Sequence, residues 1–242
     1  MTDILPVPVL KHPHWRVNIR PESYRRERVS SLADCRSIIE GTKVTLRGWD
    51  YPHLSRKPEQ NGRGNDYVES WSDFMGHVEY WRFFQSGQFL HLFAIREAME
   101  PQWADKLKKT ARWHLTEPAI VNAAPGFFSL LNFVYTVTEI FEFASRLWQR
   151  GIAEGPAIID VRIRGAKGFG IIPDFDRAWS EYYPLGSDDV GHAWIIEGAD
   201  LIAATGERAL DATLWFFDRF GWPNPPREII ARDQAKFLRG RL

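Results

Sequence analysis

The chain has 242 residues, with 31 Lys+Arg against 31 Asp+Glu, and so carries no formal net charge. This balance removes the positive field on which a general nucleic-acid coat depends. A single cysteine, Cys35, excludes a disulfide framework or a Cys-built zinc cluster within one chain. Aromatic residues reach 14%, with 11 Trp, enough large apolar area for a substantial core.

The first residues have no basic-then-apolar leader pattern, and the long apolar runs are broken by charges. A cytoplasmic protein without a membrane span is therefore expected. Residues 1–14 contain Pro6, Pro8 and Pro13 and read as an extended arm, with residues 15–242 forming one α+β domain. Trp15–Pro21 alternates apolar and polar residues as a strand with one wet face. Ser31–Glu40 reads as a helix capped by Ser30 or Ser31 and ended by Gly41. A strand is expected over Thr42–Trp49, a polar loop over Ser55–Asn65, and a further strand over Asp66–Asp73. Glu79–Arg96 reads as a hairpin about Gln85-Ser86-Gly87-Gln88. Its arms are apolar on both faces, which places it centrally in a sheet.

Phe127–Gly151 organises the rest. Leu130, Phe133, Val134, Val137, Ile140, Phe141, Ala144, Leu147 and Trp148 recur at helical spacing. Ser129, Asn132, Glu139, Glu142, Arg146 and Gln149 fall largely on the opposite side, and Gly151 suits the position after the last turn. This polar side carries no catalytic pattern, so the helix is expected to support a site and not to contain one. Beyond it come a strand or hairpin over Pro156–Ile172, a strand within His192–Ala203, and helices over Thr205–Phe220 and Glu228–Leu242. Antiparallel strands with long helices packed on one face follow from this order.

No Walker loop, dinucleotide fingerprint, HExxH or GxSxG occurs. Cys35 reads as a small buried hydrophobe, and the Gly165–Gly170 turn as a strand connection. No cofactor or metal is implied, and His12 and His14 share a Pro-rich arm without further ligands. The first candidate contact is the loop Arg47, Trp49, Asp50, Tyr51 and His53, where a Trp, an acid and a His follow Gly48 at a strand end. Alternatively, Trp49 and Tyr51 plug the core while Asp50 caps a turn. The second is the polar set in the aromatic hairpin, Arg82, Gln85, Gln88 and His91, flanked by Glu79 and Glu97. Polar groups there must lie at an edge, at a turn, or hydrogen-bonded inside. The third is Asp160-Val161-Arg162, which suits a metal-dependent nuclease or phosphoesterase if Glu69 or Glu79 joins Asp160. A surface salt-bridge stripe is the plainer account.

The segments Val17–Pro21 (VNIRP), Leu46–His53 (LRGWDYPH), Asp66–Ser70 (DYVES) and Tyr80–Phe89 (YWRFFQSGQF) resemble a region of bacterial proteins of unassigned function. In those proteins this region follows a Schlafen/AlbA-type putative DNA-binding domain. No such module with its acidic and Lys signature is present here. The resemblance implies a prokaryotic accessory or sensing module, with antiviral defence as one setting, and transfers no catalytic residue.

The expected function is thus a non-catalytic binding or sensing module that acts through a protein partner or self-association. The metal-dependent enzyme is one alternative. A nucleic-acid accessory using Arg20, Arg25, Arg26, Arg28, Arg56, Lys57 and Arg63 is the other, although net charge does not favour it.

Overall fold

The computed structural model describes residues 7–74, 76–115, 117–173, 177 and 179–240. Chain order begins with a single turn, α1 (Val7–Leu10), then β1 (His14–Pro21) and α2 (Leu32–Thr42). A short 3-10 turn precedes β2 (Asn61–Arg63), β3 (Tyr67–Phe74), β4 (His77–Phe84) and β5 (Phe89–Ala94). Helices α3 (Arg96–Met99), α4 (Pro101–His114) and α5 (Pro118–Ala123) lead to β6 (Phe127–Ser129) and α6 (Leu130–Gln149). Then follow β7 (Ala157–Arg164), β8 (Gly170–Ile172), β9 (Tyr183–Pro184), β10 (Asp189–Ile196), α7 (Gly198–Ala203), α8 (Thr205–Arg219) and α9 (Arg227–Leu238).

The fold is α+β. Seven strands form an antiparallel sheet in the order β10-β7-β1-β5-β4-β3-β2, and β6, β8 and β9 form a small second sheet. Strand alternation sets the two faces of the large sheet. Trp15, Val17 and Ile19 of β1 point inward with Ile159, Val161 and Ile163 of β7, and all six are buried. Arg16, Asn18, Asp160, Arg162 and Arg164 point to the other side. The hairpin β4–β5 lies inside the sheet, as its two apolar faces require, and Gly87 makes its turn at φ +83°.

Helix α6 packs on the inner face and is sandwiched by α7, α8 and α9. Phe133 meets Trp15 at 5.0 Å and Phe217 at 5.4 Å between ring centroids, joining sheet, α6 and α8 in one cluster. Fourteen of the twenty α6 residues are buried, so even its polar side chains must find partners inside the protein. Thr138 donates to the Val134 carbonyl at 2.7 Å, and Gln234 of α9 donates to Thr138 at 3.1 Å.

Several boundaries differ from the sequence reading. Phe127 and Phe128 belong to β6, which pairs in parallel with β8, so α6 begins later, with Ser129 as its cap. Gly151 does follow the helix at φ +73°. Thr42–Trp49 is not a strand. Helix α2 runs through Gly41 to Thr42, and the chain then forms a loop closed by the Val44–Tyr51 bridge. The left-handed Gly48 at φ +75° bends its tip, and the Tyr51–Pro52 peptide is cis. The expected arm lies in part outside the described residues. Within them, Val7–Leu10 is helical, packs on β4 and β5, and buries Val9. The segment after β7 is not a hairpin, because β8 leaves for the second sheet. No helix among the described residues is long and apolar enough to cross a membrane.

Candidate functional site

The inner face of β4 and β5, the polar side of α6 and the 44–53 loop enclose a cavity of about 120 Å³. Period-2 alternation puts Glu79 and His91 on the same face as the core residue Trp81. Helical spacing puts Asn132, Thr136 and Glu139 on one side of α6, facing that wall. The loop supplies Arg47, Trp49, Asp50 and Tyr51.

Arg47 ties the loop to the helix. Its guanidinium donates to Asn132 Oδ1, to Glu139 Oε2 and, at 3.3 Å, to Thr136 Oγ1. Trp49 forms part of the cavity wall. Its indole is stacked between His53 and His77, with ring centroids 4.0 and 3.9 Å away, and its Nε1 donates to Glu79 Oε1 at 3.0 Å. The other Glu79 oxygen accepts from the His53 backbone N–H at 3.2 Å and pairs with His91 Nε2 at 2.9 Å. Glu97, at the start of α3, accepts from Asn132 Nδ2 at 2.8 Å and from the Ser129 backbone N–H at 3.3 Å.

The ionisable groups are buried, which sets their acidity. Burial raises Glu139 despite the Arg47 guanidinium beside it. Burial likewise raises Glu97 against the hydrogen bonds from Asn132 and Ser129. For Glu79 burial pulls upward, but His91, Trp49 and the His53 backbone together hold the carboxyl below the usual range. Burial, then the Arg96 cation, lower His77 to about 4. Burial raises the Tyr51 phenol, and the nearby Glu139 and Glu79 charges add to that.

Three cavity-lining side chains carry a buried polar atom without a hydrogen-bond partner: Tyr51 Oη, His91 Nδ1 and Glu139 Oε1. Their residues are 5%, 1% and 1% exposed. Each such atom costs about 1–3 kcal/mol when left unpaired, and none of the three is itself open to the cavity.

Five of the nine sequence-derived candidates, Arg47, Trp49, Asp50, Tyr51 and His91, line this cavity. His53 does not line it, and its ring stacks on Trp49. The other three lie elsewhere. Arg82 is on the opposite sheet face, paired with Glu69 at 2.7 Å and set over the Tyr67 ring. Gln85 fastens the hairpin turn to the Val29 carbonyl at 3.0 Å, and Gln88 bonds Asn18 at 2.9 Å. Their partners are structural. Glu79, Glu97, Asn132, Thr136, His77 and Glu139 also line the cavity and were not among the candidates; Glu79 and Glu97 only flanked the hairpin set, and the helical spacing of Asn132, Thr136 and Glu139 was the available signal. The polar side of α6, expected only to support a site, lines this cavity through Asn132, Thr136 and Glu139.

The carboxylates of the metal-enzyme alternative do not converge. Glu79 faces inward while Asp160 faces outward, and Asp160 is separated from Glu69 by three intervening strands. Asp160 instead lies 3.2 Å from Arg162, part of a surface ion-pair row with Arg164 and Asp189. Among the described residues no group of three or more His, Cys, Asp or Glu is disposed to hold a metal ion. Cys35 is fully buried, and burial pushes its thiol up to about 11, unsuited to nucleophilic work.

Comparison with protein-family models, curated proteins and solved structures gives no match, so function has to be read from the cavity itself.

Proposed function

We propose that this chain is a non-catalytic binding or sensing module that holds a small polar ligand beneath the 44–53 loop and reports its presence to a protein partner. The observation that supports this is a cavity lined by polar and charged side chains from three separate elements, Arg47 and Asp50 of the loop, His77 and Glu79 of β4, and Asn132 and Thr136 of α6. The loop is the natural reporter. It touches the cavity through Arg47 and Trp49, and the exposed Phe74 ring lies parallel to Trp49 with centroids 6.5 Å apart. A change in Trp49 is therefore carried to the surface. The sequence resemblance fits a prokaryotic accessory role of this kind, with antiviral defence as its setting.

Thermal unfolding with a set of small polar compounds tests the reading, using wild type and Thr136→Phe, which fills the cavity from α6. Compounds that stabilise wild type and leave Thr136→Phe unmoved support it. Stabilisation of both alike, or of neither, would overturn it.

One observation favours chemistry in the same place. His91 lines the cavity as an imidazole oriented through Nε2 by Glu79, although its unpartnered Nδ1 is not itself open to the cavity. Turnover of a bound compound that His91→Asn abolishes without loss of binding would establish an enzyme. Binding without turnover leaves the module reading.

A further inference from the structure

We infer that β10 is a self-association edge: it pairs with β10 of a second copy of this chain, antiparallel, about a two-fold axis through His192. The inference is independent of the cavity on β4 and β5, because β7 and β1 lie between β10 and β5 in the sheet.

The large sheet ends in two unlike edges. β2 is three residues long and finishes on Arg63, a short, charged edge of the kind that discourages pairing. β10 has eight residues with neither Pro nor Lys, and its register with β7 runs through all eight without a bulge. An antiparallel strand sends backbone groups to both of its sides. Among the described residues, no backbone hydrogen bond joins Val190–Ile196 to any segment but β7. The outward N–H and C=O groups are therefore a template for another strand.

The side chains flanking this edge suit burial. Val190, His192 and Trp194 share the inner face, opposite Ile163, Val161 and Ile159 of β7, and Asp189, Gly191, Ala193 and Ile195 share the outer one. His192 is exposed although it faces inward and stacks on Trp215 of α8, with ring centroids 5.0 Å apart. Trp194 is half-buried and meets the same indole edge-on at 5.8 Å. On the outer face Ile195 is 63% exposed. Apolar surface thus borders the free backbone on both faces.

Charge selects the occupant and the register. The chain has no net charge, so two copies do not repel each other at long range. Opposed side chains of antiparallel strands share a face, so a two-fold axis must set one residue against its own copy. Centred on Ala193, the pair would set Asp189 against Glu197, and directly opposed like charges are destabilising. Centred on Gly191, it would set Trp194 against Asp188 and leave Ile195 against Ser187. Centred on His192, it sets Val190 against Trp194 and Gly191 against Ala193. Asp189, already held by Arg164 at 2.8 Å, then meets Ile195 and no acid.

Light scattering of the whole chain over a range of concentrations tests the pairing, and the expected mass is twice that of one chain. His192→Asp and His192→Lys each oppose like charges across the axis, and each should weaken the dimer at least about tenfold. Mixing the two variants should restore it as a heterodimer. His192→Cys should give a disulfide-linked dimer on oxidation, whereas Asp189→Cys, opposite Ile195, should not; the native Cys35 is buried. This arm holds even where a charged variant does not fold. A single-chain mass at every concentration would overturn the inference. So would a dimer that both charged variants leave unchanged, or equal cross-linking by Asp189→Cys and His192→Cys. A monomer that takes up an extended peptide along β10 would likewise reject the second copy as the occupant.

Discussion

Arg47, at the tip of a surface loop, forms an ion pair with Glu139, which lies 92 residues later in the middle of the central helix. The pair is asymmetric. The arginine side chain is 25% exposed and the glutamate 2%. Removing the cation therefore strands a carboxylate that water cannot reach. Arg47→Ala is expected to cost about 3 kcal/mol of stability at neutral pH. Most of that loss should disappear in a Glu139→Gln background, where no charge is left behind. Urea unfolding of the four proteins of this cycle measures the coupling. Additive losses would mean that the two groups do not depend on each other.

The Tyr51 hydroxyl is buried without a partner, so deleting it removes a burden and no hydrogen bond. Tyr51→Phe should leave stability unchanged or raise it by up to about 1 kcal/mol. Thermal unfolding of the free protein is the check, and a loss above about 1 kcal/mol would show that the hydroxyl is bonded in the fold.

His77 yields a pH prediction. Burial and Arg96 hold it at about 4, below the ordinary histidine range. The unfolded chain therefore takes a proton at mildly acid pH before the folded one does. From this group the fold loses stability as pH falls from the ordinary histidine range toward 4, and loses nothing above that range. His77→Gln should flatten that limb of the stability profile. An unchanged slope in chemical unfolding across these pH values would refute the assignment.

Glu97 runs the other way. Its folded carboxyl titrates higher than in the unfolded chain. The group costs nothing while both states are protonated, and it destabilises progressively as pH rises through the usual carboxylate range. Glu97→Gln keeps an oxygen to accept from Asn132 and Ser129 but carries no charge. It is expected to be neutral in acid and stabilising at neutral pH. Unfolding curves at the two pH values test this, and equal effects at both would contradict it.

The sheet and the central helix were legible because they rest on short-range periodicity. Alternation in Trp15–Pro21 placed Val17 and Ile19 inside, and the i, i+3, i+4 spacing of Leu130–Trp148 defined the core stripe of α6. The cavity was only half legible. His91 and the 47–53 loop stood out as polar groups in an aromatic setting. Glu139 did not, because a helical wheel counts an acid as solvent-facing. Only the loop folding back over α6, a contact between distant segments, turns that side inward. The failed strand at Thr42–Trp49 has the same origin. Its composition suits a strand, but the left-handed Gly48 and the Val44–Tyr51 bridge turn it into the roof of the cavity. Arg82, Gln85 and Gln88 shared the hairpin with His91, yet alternation and turn position send them to other partners.

Glu79 couples separate parts of the chain. One of its oxygens holds the Trp49 indole, and the other holds His91 of β5 and the His53 backbone. Loop and sheet are thus bolted to the same carboxylate. To move, the indole must give up one hydrogen bond and slide from between two imidazoles. A single side chain therefore keeps the 44–53 loop in register with β5, and its loss would release both at once.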